Sequence, residues 1–397
     1  MRGAGSGELS YLTWRLSYNG GMKSGDRLSA LRCRLSVWRD QCEHVGRGTT
    51  GSLNLHFAFC ILHFAIAICV LTVLFCKRAP AQIIEPPPGS SDRIEYGPAS
   101  TIRFRVGAEV TAHRGACRDV LALVAVPLEC PEQTVKIIDE DFSSEVAQVD
   151  YRVLQGGVRQ MMIGIPRLPD GATARAVITC EVTTRTILPP RQTDDLVIPR
   201  RVPSKVRQYT NGSPYIEVQH RKIRSLGRDV LAEVDESATD WEKVEAIYDY
   251  VLEHVDYVEG PDKGALDTLR DGQADCQGRS MLFIALCRTN KIPARMVWVD
   301  GHAYPEFYLE DAAGEGFWFP CESAGSRSFG EMPLARAIFQ KGDDFRVPER
   351  KDRLRYASDY LIGMPVAGSA KPKVKFIREQ VGLASAATPT SDRQASP

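Results

Sequence analysis

Residues 271–323 contain the residue types that a nucleophilic acyl-transfer site needs. Cys276 follows a turn with Gly and Asp and precedes the apolar run MLFIALC at residues 281–287. This pattern predicts that Cys276 begins a buried helix, where free N–H groups and the positive end of the helix dipole favour a thiolate. The same N–H groups can stabilise the oxyanion that forms when a thiolate attacks a carbonyl. We therefore predict Cys276 as a nucleophile.

A thiolate nucleophile needs a base that also carries the proton, and imidazole is the usual group. Beyond the amino-terminal apolar run the chain has four histidines, namely His113, His220, His254 and His302. For the first three, a structural role is the simpler interpretation. His302 instead opens an extended stretch, where it shares one strand face with Tyr304. We predict His302 as the base and Tyr304 as a residue that lines the cleft.

Five sequence blocks in this window, in their order and spacing, resemble the transglutaminase-like core family, relatives of papain-type thiol enzymes. The blocks are Asp275-Cys276, Ala285-Leu-Cys-Arg288, Asn290-Lys-Ile-Pro-Ala-Arg295, His302-Ala-Tyr-Pro-Glu306 and Trp318-Phe-Pro-Cys-Glu322. The resemblance covers under a third of the chain and implies a papain-like α+β fold with acyl transfer through a thioester. It also implies that Glu322 is the acid that orients the imidazole, where the family usually has Asp.

The loop at residues 310–316 predicts an antiparallel hairpin that brings the imidazole and this acid together. With a centre near residue 313, paired positions sum to about 626, so His302 and Glu322 are diagonal neighbours on one face. The Glu322 carboxylate can then reach the imidazole Nδ1–H. Pro305 departs from the family pattern and lacks an N–H, so we expect its strand to lie at an edge or to pair on one side only.

Further polar residues and cysteines of the window are weaker candidates for the site. Gln273 is a candidate oxyanion donor, whereas Asp275 could tune the thiolate or the substrate groove, or could cap the helix. Cys287 and Cys321 are predicted as core residues. A zinc site formed by Cys276, His302 and Cys321 would need the Cys321 side chain to point towards the other two. Strand alternation places Cys321 on the opposite face from Glu322, so we predict no metal, and we also predict no cofactor.

The remaining patterns define the elements that must position these residues. Residues 86–205 alternate apolar and polar side chains between Gly and Pro punctuation, which predicts an all-β, sandwich-like domain. Helical spacing from Trp241 to Val255 begins a transglutaminase-like catalytic domain at residues 206–365. Residues 366–397 have little to bury and predict a disordered tail. The expected fold class is α+β, with a papain-like transglutaminase core after the all-β domain.

An apolar stretch at residues 53–76 predicts a signal or membrane-anchor helix, because no charged side chain lies between Arg47 and Lys77. The preceding segment is basic, so the catalytic domain should lie outside the cytoplasm. The protein would be membrane-anchored, or secreted or periplasmic if the signal is cleaved. Residues 1–52 have no secondary-structure period, which indicates a start placed too far upstream.

The composition limits the classes of partner that the protein is expected to bind, but it does not indicate which reaction the protein catalyses. Lys plus Arg equals Asp plus Glu at 50 each, and no long basic block occurs, so nucleic acid is excluded as the expected partner. A peptide or protein substrate is expected instead. The molecule that accepts the acyl group from the thioester determines the activity. Water as this acceptor would make the protein a protease or amidase, and an amine would make it a transglutaminase. The alternative is a degenerate, non-catalytic module that binds protein or cell-wall peptides.

Overall fold

Alternating apolar residues and Gly- or Pro-containing turns give the described chain a strand-rich structure. The computed structural model describes residues 93–382, which contain seventeen β-strands and four α-helices. The strands are β1 (Tyr96–Thr111), β2 (Cys117–Val126), β3 (Gln133–Phe142), β4 (Gln148–Leu154), β5 (Val158–Leu168), β6 (Thr173–Ile187), β7 (Asp256–Tyr257), β8 (Gln273–Ala274), β9 (Ala294–Val299), β10 (His302–Glu310), β11 (Gly316–Glu322), β12 (Ser328–Phe329), β13 (Ile338–Lys341), β14 (Phe345–Arg346), β15 (Arg353–Leu354), β16 (Tyr360–Pro365) and β17 (Lys373–Val381). The helices are α1 (Arg221–Ala232), α2 (Asp240–His254), α3 (Ala265–Asp271) and α4 (Cys276–Thr289), and a short 3-10 helix covers Arg207–Thr210.

The predicted sandwich-like region is present as two packed sheets. One sheet has the order β17-β1-β6-β3, and the other contains β4, β5, β2 and β16. Phe104, Val106, Ala108 and Val110 of β1 point into the core between them, as the alternation of the sequence predicts. Cys180 of β6 is in the same core and is a packing residue.

The second sheet continues from the sandwich into the helical half of the chain. Its order is β12-β11-β10-β9-β13-β5-β2-β16, and β13 joins the halves through the pair Gln340↔Val158. The strands that carry the site are therefore part of the same sheet as strands of the sandwich. The boundary predicted between residues 205 and 206 stays a prediction.

The predicted disordered tail at residues 366–397 is wrong for Lys373–Val381. This segment is β17, which pairs antiparallel with β1 from Arg103↔Val381 to Thr111↔Lys373. Ile377 is buried, and Phe376 packs against the sandwich core. A strand at a sheet edge needs few apolar residues, because its partner strand satisfies much of its backbone hydrogen bonding. Residues 383–397 lie outside the described part.

The helices pack around α4, which is buried along almost its whole length. The predicted helix from Trp241 to Val255 is α2, and Thr239 caps it in a capping box with Glu242. Trp241 packs its ring edge-on against aromatic side chains of β10, β11 and β12. Cys287 and Cys321 are fully buried in this core, as predicted.

The predicted anchor at residues 53–76 and the region at residues 1–52 lie outside the described part of the chain. Within residues 93–382, the helices are too short or too polar to cross a bilayer. The six cysteines of this range are all free thiols.

Candidate active site

Cys276 is the first residue of α4, as its sequence context predicts. Gly272 ends α3 in the left-handed conformation, with φ 64°, and lets the chain turn into β8 and then into α4. Asp275 is the N-cap, and its Oδ1 accepts a hydrogen bond of 2.9 Å from the Gly278 N–H. Cys276 is 9% exposed, at the end of a helix whose interior is closed to solvent.

His302 and Glu322 are brought together by the hairpin of β10 and β11. The strands pair from Glu306↔Pro320 to Glu310↔Gly316, which is the predicted register. The imidazole Nε2 lies 2.8 Å from Glu322 Oε1, and the same oxygen accepts a 2.9 Å hydrogen bond from the Ala324 N–H. Both side chains are largely buried. Their hydrogen bond is therefore shielded from competing water.

The predicted use of Nδ1 by the carboxylate is wrong. Nε2 is at the far end of the ring and is the nitrogen that reaches Glu322. The Cys276 side chain is the other neighbour of the ring that acts to raise the pKa of the imidazole. With Nε2 bonded to Glu322, Nδ1 is the ring nitrogen that is left for the thiol.

The charge of His302 follows from these neighbours. Burial alone lowers the pKa of the imidazole, but the hydrogen bonds with Cys276 and Glu322, and the charge of Glu322, outweigh burial and raise the pKa to about 9. At neutral pH the ring is therefore an imidazolium. It supplies a positive charge beside the sulfur and holds a proton that can be transferred.

A pair of serines connects the residue after Glu322 to the start of α4. The hydroxyls of Ser280 and Ser323 lie 2.7 Å apart, and both are within hydrogen-bond distance of the Cys276 carbonyl oxygen, at 2.6 and 3.1 Å. Arg279 also donates to the Ser323 carbonyl oxygen. These contacts fix the end of β11 against Cys276.

The main chain of Glu322 is held from a second direction by α2. The Tyr248 hydroxyl donates a 2.6 Å hydrogen bond to the Glu322 carbonyl oxygen and accepts one from the Ser328 N–H. Sequence reasoning missed Tyr248, Ser280 and Ser323. For Ser280 a signal was available, since it is a small polar residue directly before the apolar run of a buried helix.

The cleft role predicted for Tyr304 is wrong. Its side chain is 3% exposed and packs with Val297, Val299 and Ile338. The alternation along β10 was correct, but this face of the strand is covered by apolar side chains instead of opening into a cleft. Burial raises the pKa of the Tyr304 phenol well above its usual value.

Two other predicted site residues have different positions. The Asp275 carboxylate accepts from a helix N–H, so capping is the interpretation that its geometry supports. Gln273 is exposed on β8, which pairs in parallel with β7, and its carbonyl oxygen accepts from Lys263 Nζ. Its role as an oxyanion donor stays a prediction.

Pro305 is on an interior strand and not at a sheet edge. At this position, however, β10 pairs only with Met296 of β9, because the pairing with β11 begins at Glu306. The missing N–H therefore costs no ladder hydrogen bond on the β11 side.

Comparison with known proteins agrees with this architecture. Residues 225–323 match the family model of the transglutaminase-like superfamily, so this stretch, which includes Cys276, His302 and Glu322, is a transglutaminase-like domain. The described residues have the mixed α+β architecture that the sequence predicts.

Two solved structures resemble the chain at low sequence identity. A candidate cysteine protease from Cytophaga hutchinsonii is 18% identical with a TM-score of 0.46, over 73% of this chain and 94% of that one. A candidate protease from Parabacteroides distasonis is 12% identical with a TM-score of 0.24, over 59% and 44%. No curated protein matches the sequence.

Proposed function

We propose that this protein is an enzyme that transfers acyl groups from peptide or protein amides through a thioester on Cys276. The observation that carries the proposal is the arrangement around His302. Its ring has a 2.8 Å contact with the Glu322 carboxylate, and the thiol at the first residue of α4 is close enough to act on the pKa of the ring. A nucleophile, a proton carrier and an orienting acid in this relation are the parts that thiol acyl transfer needs.

In the first half-reaction the Cys276 sulfur attacks the amide carbonyl and a C–S bond forms. The oxyanion then lies at the first turn of α4, where the Cys276 and Gln277 N–H groups can donate to it. These two groups have no intrahelical acceptor, because the first intrahelical hydrogen bond of α4 runs from the Arg279 N–H to the Asp275 carbonyl oxygen. The imidazolium of His302 then protonates the leaving nitrogen, and the C–N bond breaks. The products are a thioester and a neutral amine or ammonia.

In the second half-reaction the neutral His302 accepts a proton from the acceptor as that acceptor attacks the thioester. Water releases a carboxylic acid, and an amine forms a new amide. The Cys276 sulfur leaves and is again paired with an imidazolium. Hydrolysis is our first proposal because water has access to any open cleft, and amine transfer is the second.

Glu322 acts through His302. Its Oε1 holds Nε2 while the Ala324 N–H holds the same oxygen, which fixes the plane of the imidazole and stabilises its positive charge. One additional methylene relative to Asp lets the side chain cover this distance from the last residue of β11.

We also propose that the protein is exported and acts outside the cytoplasm. This proposal rests on the charge-free run at residues 53–76 and the basic segment before it. A reporter fused after residue 95 in bacteria tests it. Alkaline phosphatase activity is expected, and activity of a cytoplasm-dependent reporter instead would contradict export.

Mass spectrometry of peptides incubated with the protein tests the reaction. Cleaved chains indicate hydrolysis of the backbone, a Gln-to-Glu mass change indicates amidase activity, and joined peptides indicate transglutamination. Every product should be absent with Cys276→Ala. Peptide binding without any product from the wild-type protein would instead support the degenerate, non-catalytic module.

A further inference from the structure

An arginine from beyond the matched domain reaches the residue next to the nucleophile. Arg355 lies between β15 and β16, more than thirty positions after residue 323. One of its terminal nitrogens donates a 2.8 Å hydrogen bond to Gln277 Oε1, and Gln277 directly follows Cys276. The carboxy-terminal segment therefore forms part of the surroundings of the site.

The Arg355 guanidinium is held in a partly desolvated position. Its central carbon lies 4.6 Å from the ring centre of Tyr215 and 5.8 Å from that of Trp298, and the side chain is 17% exposed. Tyr215 has φ 71°, an uncommon conformation for an aromatic residue and one that is often retained at functional sites. An arginine stacked on aromatic faces is well suited to bind a planar carboxylate, because little water competes for it.

The segment that carries Arg355 is fixed to the sheet. The buried Gln340 side chain makes two hydrogen bonds with the main chain of Ala357, at 2.9 and 3.1 Å. Tyr356 packs edge-on against Trp298, with ring centres 5.2 Å apart. The guanidinium is thus positioned before any ligand arrives, which lowers the entropic cost of binding.

The other partner of this arginine is held less firmly. The second terminal nitrogen of Arg355 forms an ion pair with Asp262, which lies in the loop of residues 258–264 and has a side chain that is 48% exposed. An ion pair with a partner this exposed contributes little to stability. A carboxylate from another molecule can therefore replace Asp262 without breaking the core.

The distance to the nucleophile sets the place of such a carboxylate. Adjacent Cα atoms are about 3.8 Å apart, and one glutamine side chain plus a hydrogen bond separates the backbone from Arg355. The guanidinium is thus within about 11 Å of the Cys276 Cα, a distance that an extended peptide spans in about three residues.

We propose that Arg355 is a specificity-determining residue that binds a substrate carboxylate within about three residues of the scissile amide, and that Asp262 occupies the guanidinium when no substrate is bound. This inference rests on the proposed function, since it concerns the substrate of the same site. Asp262 is then a competitor of the acidic substrate and not a structural partner of the arginine.

Binding to the full chain with Cys276→Ala tests the inference without turnover. The probes are a pool of synthetic peptides with Glu and Asp, and a matched pool in which each is replaced by Gln and Asn. Equilibrium dialysis with mass spectrometry should find at least tenfold tighter binding of the acidic pool. Adding Arg355→Gln should remove this preference, and Arg353→Gln should keep it, because Arg353 pairs instead with Asp344.

The Asp262→Asn variant tests whether Asp262 competes with the substrate for Arg355 or is a structural partner of this arginine. Removing the competitor should tighten binding of the acidic pool several-fold and leave the neutral pool unchanged. Equal binding of both pools by the parent protein, or weaker acidic binding with Asp262→Asn, would overturn the inference. Because these outcomes do not depend on catalysis, they are distinct from a failure of the wild-type protein to convert peptides.

Discussion

The chemistry at the residue scale depends on one ring that has two different partners. His302 contacts the Cys276 side chain and, through Nε2, the Glu322 carboxylate. Burial opposes a charged imidazole, and the two contacts overcome it, so the pKa of His302 rises to about 9. An imidazolium is therefore present at neutral pH, and its proton is available for the leaving amine of the proposed reaction.

Replacing Glu322 with Gln tests the role of the carboxylate. The shape is kept and the charge is lost, so kcat/KM should fall at least about tenfold, equivalent to roughly 1.4 kcal/mol of barrier. Glu322 raises the pKa of His302, so its removal must lower that pKa. The descending limb of the activity profile, expected near pH 9, should therefore move to lower pH.

Steady-state rates at a series of pH values measure both effects. Glu322→Asp, which restores the charge on a shorter side chain, should retain part of the activity. A Gln variant with the wild-type rate and an unmoved alkaline limb would exclude Glu322 from the site.

At the element scale, the site depends on how the end of β11 is joined to the start of α4. Ser280 and Ser323 make this connection through the Cys276 carbonyl oxygen, and Tyr248 of α2 holds the Glu322 carbonyl oxygen. The reacting side chains thus come from three elements whose relative positions are fixed by buried hydrogen bonds. Small losses in these contacts should appear as lost rate before they appear as lost folding.

Ser323→Ala should lower kcat several-fold with little change in KM. The substitution removes one hydroxyl from the Cys276 carbonyl oxygen and leaves Ser280 there, so the nucleophile remains but is less well positioned. Ser326→Ala is the matched control, since Ser326 is exposed in the next turn. Equal kcat in the two variants, or a Ser323→Ala loss confined to thermal stability, would contradict a positioning role.

How far the sequence predicts these elements depends on the range of the interactions. Local patterns were sufficient for α2, for the start of α4 and for the β10–β11 register, because caps, helical spacing and a short loop determine them. They failed for Tyr304, whose buried cluster also includes Leu128 and Ile187, which are far away in sequence. Arg355 was missed for the same reason, since 78 positions separate it from Gln277.

The position of β17 leads to a prediction about stability. Ile377→Ser should lower the free energy of unfolding by about 1–3 kcal/mol, because it places a polar group at a buried position of β17. Lys375→Ser, on an exposed position of the same strand, should change it by less than about 0.5 kcal/mol. Urea denaturation measures both, and an unchanged Ile377→Ser midpoint would mean that this segment does not contribute to the fold.

At the scale of the whole molecule, buried charges connect the sandwich to the half that contains the transglutaminase-like domain. Lys341 of β13 forms ion pairs with Glu132, which precedes β3, and with Glu306 of β10, while Glu306 also pairs with Arg295. Burial acts to raise the pKa of Glu306, but Lys341 and Arg295 outweigh it, so the pKa is lowered and the carboxylate stays charged. The resemblance to the family marked Glu306 and Arg295 as parts of its blocks, but it offered no sign of Lys341 or Glu132.

Removing the central cation of this network should be costly. Lys341→Met keeps much of the side-chain length but leaves Glu132 and Glu306 with less compensation, so we expect a loss of about 3–5 kcal/mol in unfolding free energy. Lys351→Met is the control at an exposed position. Calorimetry that found the same transition temperature for both variants would contradict a stabilising role for the network.

The central claim is that Cys276 carries the acyl group, and intact-protein mass spectrometry of an acid-quenched reaction tests it most directly. With an activated peptide ester as donor, the protein should gain the mass of one acyl group within a single turnover. Digestion should locate the group on Cys276, and Cys276→Ala should gain none while unfolding near the wild-type temperature. An acyl group on another residue, or product formed by Cys276→Ala at the wild-type rate, would contradict the account.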